Sequence, residues 1–204
     1  MVSGATATHA RYAATGLFGH LLTPRNGNAP ARLGLNNLPW AADNDAFHGF
    51  HAPRFCRMLS RIASRPGCLF VACPDVVADA SATRARFDRW EPVIRECGLP
   101  VAYVLQDGQE NVPVPWDRCD AVFVGGSTEF KEGSIAQRLV SEAKHLGLWV
   151  HVGRINSRRR LKIMMQWGCD SYDGTSISMF PDKYFPRAIR WHDELSGGPL
   201  FREK

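Results

Sequence analysis

Six short segments of this sequence end in residues that can do chemistry. Trp40-Ala41-Ala42 runs into Asp43-Asn44, LFVACP into Asp75, VAYVL into Gln106-Asp107-Gly108, and AVFV into Gly125-Gly126-Ser127-Thr128-Glu129. LWVHV runs into Gly153-Arg154, and Cys169-Asp170-Ser171-Tyr172 into Asp173-Gly174. Loops after strands favour Asp, Gly and Asn for backbone reasons alone, so no single position carries weight. As a set they suit a guanine-like base. A carboxylate accepts hydrogen bonds from N1–H and the exocyclic amine, and an amide such as Gln106 both donates and accepts at a purine edge. Adjacent glycines let backbone N–H groups approach a carbonyl oxygen. Two further carboxylates can divide nucleophilic and acid–base roles at a glycosidic carbon.

Such residues meet only if the segments are parallel strands whose carboxyl ends share one rim. The chain alternates short apolar runs with amphipathic stretches, the pattern of repeated βα units in an α/β fold. Strands are expected near Leu17–Leu22, Trp40–Asp43, Cys68–Cys73, Val101–Leu105, Ala121–Val124, Trp149–Val152 and Ser171–Asp173. Helices are expected over Pro53–Ala63, Ala80–Cys97 with Asp79 as N-cap, Ser134–Leu146 ending at Gly147, and Arg158–Trp167 with Ser157 as N-cap. A last helix falls within Lys183–Leu195. Residues 23–39, rich in Pro, Gly and Asn, read as a long loop, and residues 196–204 as a loose tail. One domain over residues 1–204 fits either a doubly wound sheet or a (β/α) barrel. A full barrel takes about 250 residues, so a barrel here is a compact or trimmed one.

The bulk properties set outer bounds. The 204 residues are 45% hydrophobic and 22% charged, ordinary for a globular domain. No run approaches the ~20 apolar residues of a membrane helix, and the N-terminal segment lacks the apolar core of a secretory signal. A cytoplasmic location is expected. Net charge +5 mildly favours a polyanionic partner, and a basic surface with no partner fits the charge equally well. The six cysteines include no C-x-x-C pair and read as reduced core thiols. No metal site is expected.

Several side chains beside the rim invite a role. Arg154, Arg158, Arg159, Arg160 and Lys162 in GRINSRRRLK sit at a strand end and in a helix's first turn. Cations there oppose the helix dipole, which favours phosphate contact, although a solvated basic face has the same composition. Phe47, Tyr172 and Phe180 flank the rim and can stack on an extruded base or simply pack. Glu129, Lys131 and Glu132 read as a surface charge cluster. His151 reads as a satisfied core group. Asp173 is preferred to Asp170 because it falls at the strand end.

The segments ADNDAF, PDVVADA, VLQDGQ, FVGGSTEFKEG, HVGRINS and GCDSYDGTS resemble the tRNA-guanine transglycosylase superfamily, in order and in content. The closer resemblance is to the phage and bacterial branch that inserts 7-deazaguanines into DNA, the DpdA-like proteins. It spans about Trp40 to Ser178. It implies a (β/α) barrel of the TIM type. It also implies Asp173 as the nucleophile at C1′ and Asp43 as general base for the incoming base. Asp75 and Gln106 would read the purine edge, and Gly125 and Gly126 would bind its carbonyl. The implied reaction exchanges guanine for a free 7-deazaguanine without an organic cofactor.

The tRNA enzymes carry a cysteine-rich zinc site near their C-terminus, whereas no cysteine follows Cys169 here. The resemblance therefore implies DNA rather than tRNA as the polymer. A homodimer or a duplex-opening partner protein is compatible with it. Base exchange on tRNA, an inactive nucleic-acid-binding barrel and a simple glycosidase are the rival expectations.

Overall fold

The computed structural model describes residues 1–3, 7–25, 38–63 and 65–197. The loop expected over residues 23–39 and the tail over 196–204 lie largely outside them. Eight strands form one sheet: β1 (Val2–Ser3), β2 (His20–Leu22), β3 (Trp40–Ala42), β4 (Cys68–Ala72), β5 (Val101–Leu105), β6 (Ala121–Val124), β7 (Trp149–Val152) and β8 (Ser171–Tyr172). Every neighbouring pair is parallel, and the spatial order is the chain order, β1 to β8. A doubly wound sheet would reverse its order at a switch point. This sheet has none and curls as a (β/α) barrel does. The Met1 nitrogen donates to the Tyr172 carbonyl across the seam between β8 and β1.

The helices are α1 (Ala7–Tyr12), α2 (Ala52–Ile62), α3 (Ala80–Glu96), α4 (Thr128–Glu132), α5 (Ser134–His145), α6 (Arg158–Gln166), α7 (Thr175–Met179) and α8 (Pro181–Leu195). Asp79 caps α3 by accepting from the Ala82 N–H at 2.9 Å, and Ser157 caps α6. Gly147 and Gly168 follow α5 and α6 with φ of 75° and 76°, the left-handed conformation that ends a helix. No helix among the described residues is long and apolar enough to cross a membrane.

Strand alternation separates two apolar layers. Val101, Tyr103 and Leu105 of β5 face outward, where Phe87 and Ile94 of α3 and the neighbouring helices bury them. Their inward neighbours belong to a second layer of Leu21, Ala41, Phe70, Ala102 and Ala121. Three alanines, one leucine and one phenylalanine fill the narrow interior of the curl. That leaves the carboxyl-end layer to polar residues. Across the β8–β1 seam, α8 packs against α1, α6 and α7, and Phe185 of α8 is fully buried beside Val2, Phe18 and Ile177.

The sequence expectation missed β1, α1, α4 and α7. Each is at most six residues long, too short for a hydrophobic period to declare itself. It also started the second strand at Leu17, where the chain is still exposed, rather than at His20. Cys56, expected in the core, is exposed on α2, while Cys73 and Cys119 are buried.

Candidate active site

The strand ends converge on a cavity of about 420 Å³, within the size range of small-molecule sites. Asp43, Asp75, Gln106, Gly125, Gly126 and Asp173 all line it. Asp43 follows β3, Asp75 follows β4, Gln106 follows β5, the glycine pair follows β6 and Asp173 follows β8.

Asn44 and Gln106 clamp Asp75. The Asn44 Nδ2 amide donates to Asp75 Oδ1 at 2.8 Å and the Gln106 Nε2 amide to Oδ2 at 2.7 Å. Both amide orientations are fixed from behind: Asn44 Nδ2 also donates to the Cys73 carbonyl, and Gln106 Oε1 accepts from the Ala78 N–H at 2.9 Å. Each Asp75 oxygen keeps a further lone pair for a ligand, and Gln106 keeps a second N–H. Burial pushes the Asp75 carboxyl above its ordinary value even though these amides pull the other way. Asn44 is 1% exposed and was not singled out from the sequence; its signal was adjacency to Asp43 in the same turn.

The glycine pair is required by packing. A Cβ on Gly125 would lie 2.8 Å from Gln106 Nε2. Gly126 has φ +76°, and a Cβ there would lie 2.5 Å from an oxygen of Asp107. That carboxylate fixes the loop by accepting from the Ser127 N–H at 2.8 Å and from its hydroxyl. No hydrogen bond among the described residues engages the Gly126 N–H, so the loop offers a rigid backbone donor beside Gln106.

Asp173 has the opposite environment. Its Oδ1 accepts from the Arg154 N–H at 2.8 Å and its Oδ2 from His151 Nε2 at 3.1 Å. Burial raises its pKa, but the hydrogen bonds, that from His151 first, outweigh burial and hold the carboxyl below its usual value. Burial in turn keeps His151 below the usual imidazole range, and so uncharged at neutral pH. The tautomer follows. Nε2 carries the hydrogen because Asp173 can only accept. Nδ1 must therefore accept from the Ser171 hydroxyl at 2.8 Å, and Ser171 accepts from the Trp149 indole N–H at 2.9 Å. Arg154 reaches Asp173 through a left-handed backbone, φ 60°, an uncommon cost for a non-glycine residue at a ligand site.

Asp43 is the third carboxylate. Burial, then the charges of Asp173 and Asp75, push it up to about 7. One cavity thus holds an ionised aspartate beside one poised to exchange a proton at neutral pH.

Three further placements differ from expectation. Lys131 is 4% exposed and lines the cavity rather than sitting in a surface charge cluster. Its Nζ donates to the Gly153 carbonyl at 3.3 Å, and burial, then the Arg154 charge, lowers the amine to about 8. Tyr172 does not face the site. Adjacent strand residues point to opposite faces, and because Ser171 and Asp173 point inward Tyr172 packs against the outer core, its phenol pushed up to about 12 by burial. In the basic segment only Arg154 lines the cavity. Arg158 pairs with Glu194, Arg159 and Arg160 pair with Glu132, and Lys162 is exposed on α6.

Phe47 stands at the mouth, 60% exposed, with the Arg154 guanidinium 4.1 Å from its ring centre. Phe180 is exposed at the α7–α8 junction and does not line the cavity. Asp170 lies at the other end of β8, paired with Lys144. The sequence matches no protein-family model and no curated protein at a significant level.

Proposed function

We propose that this cavity exchanges a nucleobase at a nucleoside C1′, with DNA as the polymer and a 7-deazaguanine as the incoming base. The observation that carries this reading is the split between Asp173 and Asp43, one held ionised and one poised near 7, beside an edge of Asp75, Gln106 and Gly126 that is complementary to guanine. Two carboxylates pushed apart by environment are the usual mark of a nucleophile and an acid–base group.

In the first half-reaction an Asp173 oxygen attacks C1′, and the C1′–N9 bond breaks. Its electron pair leaves on guanine, which takes a proton from Asp43. Guanine departs and the deazaguanine enters. Asp43, now a carboxylate, removes the N9 proton, N9 attacks C1′, and the ester oxygen returns to Asp173 with its electrons. The target nucleotide must first leave the stack, at a cost of a few kcal/mol. Phe47 at the mouth offers a stacking face, and Arg154 beside it offers a cation for the flanking phosphate.

The test is incorporation of labelled guanine into duplex DNA, single-stranded DNA and tRNA by wild type and Asp173→Ala in parallel. Label entering DNA with wild type alone is the expected result. Label entering only tRNA moves the polymer to RNA. Loss of base from the polymer without label uptake identifies a glycosidase instead.

A further inference from the structure

Lys131 is a buried cation with no carboxylate among the described residues in direct contact; the charges of Asp173 and Asp107 reach it only from a distance. An ammonium has three N–H donors, and the one hydrogen bond found here is the long one to the Gly153 carbonyl, 3.3 Å. No carboxylate among the described residues forms an ion pair with it. A buried, half-satisfied ammonium is costly unless a ligand completes it.

Its place on the rim says which part of a ligand it meets. Around the cavity the groups run Asp43 after β3, Asp75 after β4, Gln106 after β5, Gly126 after β6, Lys131 against Gly153 after β7, and Asp173 after β8. The perimeter of a guanine-type base runs N9, exocyclic amine, N1, O6, C7, C8 and back to N9. With N1–H and the amine on Asp75 and O6 on Gln106 and Gly126, N9 falls between Asp173 and Asp43. The position facing Lys131 is then C7.

We propose that Lys131 selects an incoming base whose C7 substituent is a carboxylate. The inference rests on the base-exchange reading above and narrows its substrate. A carboxylate can take both free N–H donors and neutralise the cation inside the cavity. An aminomethyl group there would set two cations against each other in a buried site. A backbone phosphate is a poorer match, because Lys131 is only 4% exposed.

The experiment is calorimetric titration of the purified protein, free of nucleic acid, with 7-carboxy-7-deazaguanine, 7-aminomethyl-7-deazaguanine and guanine. Wild type is expected to bind the carboxylate at least tenfold more tightly than the aminomethyl base. Lys131→Met, which replaces a buried cation by an apolar chain of similar length, should collapse the carboxylate-to-guanine affinity ratio at least tenfold. Guanine binding with no carboxylate preference in wild type overturns this inference and leaves base exchange standing; a phosphate role for Lys131 gives that same result. Binding of none of the three bases overturns both. The wild-type comparison decides the matter even if the variant misfolds.

Discussion

The two sides of the cavity use the same residue type and shift its acidity in opposite directions. On the β3–β4 side, Asp43 and Asp75 are buried among amides and one another, and both carboxyls are raised. On the β7–β8 side, Asp173 receives an imidazole N–H and a strained backbone N–H, and its carboxyl is lowered. Neutral amides orient a carboxylate without compensating its burial, whereas an imidazole braced by Ser171 and Trp149 aims a strong donor at one. Role follows from surroundings, and each side can be altered separately.

The largest expected effect breaks the β8 side. Asp173→Asn keeps the shape and its acceptor oxygen but removes the nucleophile, so exchange should fall by about 10⁴-fold or more. Guanine affinity should stay near wild type, while thermal stability should fall by a small margin, because the new amide nitrogen faces one of the two N–H donors that Asp173 accepts from. Exchange within tenfold of wild type in the label-incorporation assay would reverse the assignment of the two sides.

Next is Asp43→Asn, expected to slow exchange about 10²–10³-fold. In wild type, guanine release needs Asp43 protonated and should decline as pH rises through about 7. Capture of the incoming base needs it ionised and should decline as pH falls through about 7. The variant should lose both limbs in single-turnover assays. Stability carries the same signature. The folded carboxyl binds its proton up to about 7, while the unfolded one releases it near 3.8. Wild type therefore loses stability as pH rises between those values, and the full penalty stands above 7. Asp43→Asn should be more stable than wild type by about 2–4 kcal/mol at pH 8, with the difference vanishing near pH 4. Denaturant melts at the two pH values check this, and equal gains at both would show that Asp43 is not held above its ordinary range.

His151 sharpens the contrast as a positioning residue. His151→Phe should cost about 10–100-fold in exchange by removing a hydrogen bond to a charged group, and should raise the pKa of the acid limb set by Asp173. His151→Gln, which can present an amide N–H to Asp173, should restore part of both. A loss of rate with an unmoved acid limb would make His151 a packing residue only.

How much of this was legible in the sequence depends on the physics involved. Strand-end residues were readable because an all-parallel sheet in chain order delivers every carboxyl end to one rim, so Asp43, Asp75, Gln106, the glycine pair and Asp173 meet whatever the details. Their helpers were not. His151 was visible only as a core group of an apolar strand, and its pairing depends on register with β8, where a slip of one residue would change the partner. Lys131 looked like its charged neighbours because α4 is a five-residue helix and shows no face in the sequence. Tyr172 was misplaced for want of one parity argument: Ser171 and Asp173 cannot both face inward unless it faces out.

The basic helix gives the smallest effect and the sharpest contrast with the rim. A run of like charges says nothing about where its partners are. Arg160 reaches Glu132 at 2.8 Å and Arg158 reaches Glu194 at 2.7 Å, so these cations are largely answered within the chain. Arg159→Ala should change stability by about 1 kcal/mol or less, since Arg159 is exposed, and Arg160→Ala somewhat more, since its pair with Glu132 is part-buried. DNA affinity should move less than threefold. Arg154→Ala, at the cavity mouth, should instead flatten the salt dependence of DNA binding by about one phosphate contact. Salt titrations of the three variants side by side decide where the polymer runs. A slope that falls for the α6 variants and not for Arg154 would put the backbone on the helix and leave the Phe47–Arg154 mouth to the base alone.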